Sequence, residues 1–127
     1  MRIHHIALGV KDLDESIKFY QQCFGFENIR TFTKDGWEGK AVILRLGETE
    51  LELFHFNEQI GSKDDQMKFN TIGLKHIGIE VDSVDETYQK LKELNVDINL
   101  PKDGTTCKKY CFLRDPNGVV IELYESK

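Results

Sequence analysis

Hydrophobic and polar residues alternate over residues 3–10 of the chain, as they do in a β-strand with one buried face. A helical pattern begins at Asp12, where Glu15 completes a capping box, and it ends at Gly25. Apolar side chains recur at helical spacing within it, at Leu13, Ile17, Tyr20 and Phe24. Strand-like stretches follow near 27–33, 39–46 and 49–56. This half of the chain therefore predicts the element order βαβββ.

The same order of patterns starts again after a polar stretch at 57–72. Residues 74–81 alternate as a strand, and Ser83 with Glu86 repeats the capping box at the start of a second helix. Further strands are predicted near 96–99, 107–113 and 118–124. The tetrapeptide Asp-Pro-Asn-Gly at 115–118 is a strong β-turn signal between the last two. We therefore expect a module at about 1–57, a connector at about 57–72 and a second module at about 73–127.

Two kinds of polar residue recur at equivalent positions in the two halves. His5 and His76 each fall in the first predicted strand of a half and are 71 residues apart (76 − 5). Glu52 and Glu122 each fall in the last predicted strand and are 70 residues apart (122 − 52). Agreement at both ends of the unit, with one residue of difference in loop length, indicates an internal duplication. The predicted fold class is therefore α+β, a single domain built from two βαβββ modules.

Composition and charge argue against some classes of function. The chain has 127 residues, of which 39% are hydrophobic and 31% are charged, as in one globular domain. A net charge of -5 and the lack of a basic stretch argue against nucleic-acid binding. No apolar run is long enough to span a membrane, and a strand-like segment begins at once, so we expect neither a membrane anchor nor a signal peptide. Three cysteines, an odd number without metal-finger spacing, predict reduced thiols and a cytoplasmic protein.

The four recurring residues predict a metal site. Each lies inside an apolar stretch of strand, where a polar side chain must face water or be paired. Strand periodicity turns both glutamates away from their aliphatic neighbours, and alanine and glycine near the histidines leave space on that face. Two imidazoles and two carboxylates suit a five- or six-coordinate Zn²⁺, Ni²⁺, Co²⁺, Mn²⁺ or Fe²⁺. We therefore predict that one divalent metal ion, in a cavity with aromatic walls, is held by His5, Glu52, His76 and Glu122.

The alternative interpretation is that these residues are structural. A single histidine on a strand is more often structural than a metal ligand, and a single glutamate on an alternating strand usually faces solvent. Recurrence of all four residues at equivalent positions favours the metal site. His4, whose counterpart is Lys75, and His55 lack such recurrence and are predicted to be structural or peripheral. Glu50 corresponds to Val120 and is expected to be exposed at the rim of the cavity.

Five segments carry a resemblance to a known family. They are HIAL at 5–8, SIKFY at 16–20, FGF at 24–26, HIGIEVD at 76–82 and RDPNGVVIEL at 114–123. The chain resembles the vicinal oxygen chelate superfamily, which includes glyoxalase I, bleomycin resistance proteins and extradiol dioxygenases. The resemblance covers essentially the whole chain. It implies curved mixed sheets that enclose a metal cavity, a small-molecule substrate and a homodimer.

The predicted ligand set is similar to that of glyoxalase I and close to that of methylmalonyl-CoA epimerase. In both families a carboxylate removes a proton α to a carbonyl, and a metal ion stabilises the resulting negative charge. By this resemblance Glu122 is the candidate for proton transfer, with Glu52 as its symmetric partner. The resemblance therefore implies a metal-dependent lyase or isomerase that acts in the manner of lactoylglutathione lyase.

One departure from the glyoxalase pattern concerns the thiol cofactor. Glutathione-using bacterial glyoxalases carry an arginine on the first strand where this chain has Gly9, and glycine cannot pair with a carboxylate. The expected substrate is therefore another thiol adduct, a CoA ester or a different oxygenated small molecule. Two alternative functions stay open: a methylmalonyl-CoA epimerase-like enzyme, and a non-catalytic protein that binds an antibiotic or a metabolite.

Overall fold

The computed structural model describes residues 1–33, 35–58 and 72–127. The chain divides into two compact units, Met1–Ser62 and Lys63–Lys127. The predicted connector at 57–72 lies outside the described residues, except for its first two positions and its last. None of the described helices is long and apolar enough to cross a membrane.

The first unit has the predicted element order. Its elements are β1 (His5–Gly9), α1 (Leu13–Phe24), β2 (Glu27–Phe32), β3 (Gly39–Leu46) and β4 (Thr49–Phe56). The strands form one four-stranded sheet in the order β1-β4-β3-β2. β1 and β4 are parallel, whereas the other neighbours are antiparallel. The helix α1 packs against β3 and β4.

The second unit repeats this arrangement. Its elements are β5 (Ile77–Glu80), α2 (Val84–Glu93), β6 (Lys102–Asp103), β7 (Lys109–Arg114) and β8 (Val120–Glu125). The sheet order is β5-β8-β7-β6, and β5 and β8 form the parallel pair. The helix α2 packs against β7 and β8. The same strand order in both units confirms the predicted α+β fold of two βαβββ modules.

The predicted strand near 96–99 is reduced to a single bridge with β7. Ile98 forms an isolated bridge with Leu113, but the strand that extends the sheet is β6, at Lys102–Asp103. Pro101 lies between the bridge and β6 and has no N–H to donate to a ladder of hydrogen bonds. The apolar pattern therefore identified a segment that runs beside β7, and the regular strand lies after Pro101.

Both helices begin at their predicted capping residues. The Asp12 side chain accepts a hydrogen bond of 2.8 Å from the Glu15 N–H, and the Ser83 hydroxyl accepts one of 3.2 Å from the Glu86 N–H. Gly25 ends α1 with a φ of 77°, a left-handed conformation that favours glycine. The caps therefore fix where α1 begins after β1 and where α2 begins after β5.

The core of each unit lies between its helix and one face of its sheet. The aliphatic neighbours of both glutamates are at most 2% exposed: Leu51, Leu53, Ile121 and Leu123. Glu52 and Glu122 lie between them in sequence and are only partly buried. Because successive strand residues point to opposite faces, the two glutamates lie on the face away from the helix.

A buried carboxylate, Glu125, connects the end of β8 to the start of α2. Its oxygens accept hydrogen bonds from the Lys108 ammonium and, at 2.9 Å, from the Val84 N–H. Lys108 and then the Val84 N–H hold the pKa of Glu125 below its ordinary value of 4.5. A carboxylate with a lowered folded pKa adds stability above its unfolded pKa, and that stability is lost as the pH falls through the folded pKa.

We therefore expect the free energy of unfolding to fall on acidification below pH 4.5, partly through Glu125. The Glu125→Gln variant should be less stable at neutral pH and should lose less stability on acidification, because its amide does not titrate. Urea denaturation at a series of pH values measures both effects. Glu48→Gln, which alters a side chain that is 89% exposed, serves as the control. Identical pH profiles for Glu125→Gln and the native protein would contradict this assignment.

Candidate metal centre

His5 and Glu52 lie together on one face of the sheet in the first unit. His5 begins β1, and Ala7, two residues further along, is the register partner of Glu52 on β4. The His5 Nε2 lies 3.9 Å from the Glu52 Oε2, and the two side chains are 46% and 23% exposed. This pair is therefore open to solvent and is too far apart for a direct hydrogen bond.

The second unit contains the equivalent pair. His76 directly precedes β5, and Gly78 is the register partner of Glu122 on β8, as Ala7 is of Glu52. The His76 Nε2 lies 3.0 Å from the Glu122 Oε2. A Cβ atom at Gly78 would lie 4.0 Å from the same oxygen, an ordinary van der Waals contact. A small residue beside each glutamate thus leaves its carboxylate uncovered.

The donor atoms of both pairs fit a divalent metal ion. Nitrogen and oxygen ligands lie about 2.0–2.2 Å from such an ion, so two ligands of one ion are separated by at most about 4.4 Å. Both Nε2–Oε2 distances fall within this limit. Across the described ranges, no group of three or more His, Cys, Asp or Glu residues is placed to hold an ion. Each pair thus offers two ligands to a metal ion.

A cavity of about 320 Å³ opens beside the His76–Glu122 pair. Besides this pair, its lining consists of Gly104, Thr105, Thr106, Cys107, Tyr110 and Phe112. Phe112 is the cross-strand partner of Glu122, and its ring centroid lies 5.4 Å from that of His76 in an edge-on contact. The cavity therefore places the imidazole and the carboxylate beside a space that can hold a small molecule.

An aromatic cluster lines the same sheet face as Glu52 in the first unit. The rings of Phe54 and Phe56 are stacked, with an interplanar angle of 5° and centroids 6.4 Å apart. The Trp37 ring lies 5.7 Å from Phe54 and 5.8 Å from Phe56. Strand periodicity places both phenylalanines on the face of Glu52, where aromatic walls were predicted. It assigns no face to Trp37, which precedes β3.

Glu50 is buried, so the prediction that it is exposed at a cavity rim is wrong. Its residue is 8% exposed, and its Oε1 lies 2.6 Å from the Arg45 Nη2. This hydrogen bond holds the pKa of Glu50 below its ordinary value of 4.5. Arg45 on β3 is the cross-strand partner of Glu50, so the pairing becomes visible only when the strand register is known.

The two remaining histidines make different contacts. The His55 Nδ1 lies 3.2 Å from the Val10 carbonyl oxygen, which ties β4 to the end of the first strand. The His4 Nδ1 lies 3.1 Å from the His5 Nδ1, and the two rings meet edge-on. His4 therefore contacts a predicted metal ligand directly. The sequence alone predicts a structural or peripheral role for His4, because His4 has no equivalent histidine in the second half.

The cysteines do not contribute to either pair. All three are free and buried, as predicted for reduced thiols. Burial raises the pKa of the Cys111 thiol to about 11, so this group is protonated at neutral pH. A protonated thiol is a poor metal ligand, because metals bind the thiolate.

Comparison with known proteins places these features in a family. Residues 2–123 match the Glyoxalase/Bleomycin resistance protein/Dioxygenase superfamily. Lactoylglutathione lyase of Escherichia coli O157:H7 is 30% identical, over 100% of this chain and 94% of that protein. Mitochondrial methylmalonyl-CoA epimerase of Dictyostelium discoideum is also 30% identical, over 98% of this chain and 78% of that protein.

Solved structures give the same result. The trypanothione-dependent glyoxalase I of Leishmania major has a TM-score of 0.78 and 30% identity to this chain, and the alignment covers 98% of this chain and 86% of that one. The similarity therefore extends over both βαβββ units in sequence and in fold. This chain belongs to the Glyoxalase/Bleomycin resistance protein/Dioxygenase superfamily.

Proposed function

We propose that this protein is a metal-dependent lyase or isomerase of the glyoxalase I type. It moves a proton at the carbon next to a carbonyl group in a small oxygenated substrate. The observation that carries the proposal is the duplicated His–Glu pair, with Nε2–Oε2 distances of 3.9 and 3.0 Å at equivalent register positions. Relatives named as a lactoylglutathione lyase and an epimerase support a reaction of this class.

In this proposal four side chains hold one divalent ion, which is Zn²⁺, Ni²⁺, Co²⁺, Mn²⁺ or Fe²⁺. The ligands are His5, Glu52, His76 and Glu122. Such an ion, when bound, polarises substrate oxygens and stabilises the negative charge that follows loss of a proton. Each module contributes one imidazole and one carboxylate, so the net charge of the four protein ligands balances that of the ion.

Glu122 is the proposed proton carrier. Its side chain is 19% exposed and lines the 320 Å³ cavity, so a small substrate can reach the carboxylate. The carboxylate takes a proton from the carbon α to the carbonyl and returns it to the neighbouring carbon in an isomerase. In an epimerase Glu122 would keep the proton it removes, and an acid on the opposite side would give another proton to the same carbon. Glu52 is the symmetric partner and serves the other face of the substrate.

We further propose that the protein is a cytoplasmic homodimer. A reducing compartment keeps the three free cysteines as thiols. In a dimer with twofold symmetry, the modules of two chains would build two equivalent metal sites. A structure of the metal-loaded protein distinguishes this arrangement from a site built within one chain.

The second candidate function is an acyl-CoA epimerase, which the 30% identity to a methylmalonyl-CoA epimerase favours. Gly9 lies on the same face of β1 as His5 and is the register partner of Phe54. It offers no cation for the carboxylates of glutathione.

The proposal is tested by metal analysis of protein purified without chelators, followed by assays with hemithioacetals and with racemic methylmalonyl-CoA. Turnover of a hemithioacetal supports the glyoxalase type, whereas turnover of the acyl-CoA alone supports the epimerase. Bound metal without either activity would support the non-catalytic binding protein instead. Protein that binds no divalent metal would overturn the proposal.

Gly9→Arg should improve use of the glutathione hemithioacetal of methylglyoxal. No atom lies within 4 Å of a Cβ built at Gly9, so the site has room for a longer side chain. A hydrogen bond to a charged group contributes about 1.5–3 kcal/mol, which corresponds to roughly a 10- to 100-fold increase in kcat/KM. Steady-state kinetics with adducts of glutathione and of the neutral thiol 2-mercaptoethanol measure the effect.

Gly9→Gln is the matched control, because glutamine adds a polar side chain without a positive charge. The neutral-thiol adduct should be used equally well by the native protein and both variants. An increase that is the same for arginine and glutamine would show that charge at this position does not select the thiol.

A further inference from the structure

We propose that His4 is a positioning residue that holds the His5 ring with its Nε2 lone pair toward the metal. The inference rests on the proposed function, because it takes His5 as a ligand. Nothing in the sequence pattern marks His4, since the equivalent residue in the second module is Lys75. The assignment comes from the contact between the two rings.

His4 contacts the Nδ1 atom of His5, whereas the Nε2 atom of His5 faces Glu52. The His4 and His5 Nδ1 atoms are 3.1 Å apart, a hydrogen-bond distance, whereas the His5 Nε2 lies 3.9 Å from the Glu52 Oε2. One Nδ1 atom must donate to the other, because two lone pairs at this distance repel. If His5 donates, its Nε2 carries the lone pair that a metal ion requires.

The His5 ring needs such support more than the His76 ring does. The His5 side chain is 46% exposed, compared with 28% for His76, so fewer neighbours restrict its rotation. His76 also has the Phe112 ring against it. Histidine ligands of metals generally donate their second N–H to a partner, which fixes the tautomer and the ring orientation. His4 supplies this partner to His5.

His4 is itself held in place by the sheet. Its carbonyl oxygen accepts a 3.1 Å hydrogen bond from the Glu50 N–H. The Glu50 side chain is buried and paired with Arg45 across β3 and β4. The Arg45–Glu50 pair therefore holds the part of β4 that is hydrogen-bonded to His4 and is the register partner of His5. The partly buried Arg45–Glu50 pair thus supports the backbone that holds His4.

The second module provides the matched control. Lys75 occupies the position equivalent to His4, and an ammonium group has three donors and no acceptor. It therefore cannot accept an N–H from the His76 ring. Replacement of Lys75 should leave metal binding unchanged, whereas replacement of His4 should weaken it.

The tautomer of His5 is measured first, in metal-free protein. The chain has four histidines, so the ring nitrogens in a ¹⁵N spectrum can be assigned by single substitutions. At alkaline pH, where a free imidazole is neutral, His5 should carry its proton on Nδ1. His4→Ala should return His5 to the Nε2–H form that dominates in free imidazole side chains. An Nε2–H form of His5 in the native protein would overturn the proposal.

Metal affinity is measured next, with Zn²⁺ in competition with a chromogenic chelator. His4→Ala should weaken Zn²⁺ binding by about 10- to 100-fold, the usual effect of losing such a partner. His4→Asn, whose amide oxygen can accept the same N–H, should recover most of the affinity. Lys75→Ala should bind Zn²⁺ as the native protein does. Equal Zn²⁺ affinity in His4→Ala and the native protein would also overturn the proposal.

His5→Ala separates failure of this inference from failure of the proposed function. If His5→Ala loses Zn²⁺ affinity and His4→Ala does not, His5 is a ligand and His4 does not position it. If neither substitution changes Zn²⁺ affinity, His5 is not a ligand and the proposed metal site itself is wrong. Both residues are exposed, so circular dichroism should show intact folding in every variant.

Discussion

Glu122→Gln should keep much of its metal and lose about two to four orders of magnitude in turnover, the usual contribution of a general base. An amide oxygen still offers a lone pair to a metal ion, but the neutral group is a poor base. Ligation and proton transfer are therefore separated by a substitution that barely changes side-chain shape. Metal content, kcat and exchange of the substrate α-proton with deuterated solvent should be measured on the same preparation.

Glu52→Gln is the internal control for this experiment. Glu52 has the same chemistry at the equivalent position, with its own imidazole partner 3.9 Å away. If Glu122 carries the proton, Glu52→Gln should retain more turnover than Glu122→Gln at equal metal content. Full exchange activity in metal-loaded Glu122→Gln would move the base to Glu52. An equal loss in both variants would indicate that the two carboxylates share the proton transfer.

Loss of a hydrogen-bond partner of a metal ligand weakens metal binding roughly 10- to 100-fold. His76→Ala should weaken it more than that, because His76 is itself a proposed ligand. His76 is the less exposed of the two proposed imidazole ligands, and it lies 3.0 Å from Glu122. Its loss should also abolish turnover. Metal content after dialysis against metal-free buffer measures the first effect, and kcat at saturating metal measures the second.

Thermal unfolding gives an independent measurement for this variant. A ligand that binds only the folded state raises the melting temperature. Added Zn²⁺ should therefore stabilise the native protein and leave His76→Ala almost unchanged. His55→Ala is the control, because the His55 ring contacts the Val10 carbonyl oxygen rather than either glutamate. Equal stabilisation of His76→Ala and the native protein by Zn²⁺ would exclude His76 as a ligand.

The duplicated fold could be predicted from the sequence because its signals are local. A capping residue, a helical stripe and an alternating strand each occupy a few consecutive residues, and all of them recur about 70 residues later. The structure confirms the caps at Asp12 and Ser83 and the same strand order in both units. Equivalent positions in a duplication also explain why each histidine lies near the glutamate of its own half.

The errors concern features that depend on pairing between strands. Glu50 has the alternation of an exposed strand residue, and only its register partner Arg45 explains its burial. The segment near 96–99 has the apolar pattern of a strand but forms only one bridge, and Pro101 just after it has no N–H to donate to a ladder. The His4–His5 contact joins neighbouring residues that a regular strand would point to opposite faces. His4 precedes β1, so strand periodicity does not apply to it.

The most direct test of the metal site is anomalous diffraction from crystals of the protein loaded with Co²⁺. We expect one strong peak bound by His5, Glu52, His76 and Glu122, with metal–ligand distances of about 2.0–2.2 Å. The same map shows whether the two His–Glu pairs come from one chain or from two. A Co²⁺ ion bound by only one of the pairs, or by other residues, would contradict the proposed centre.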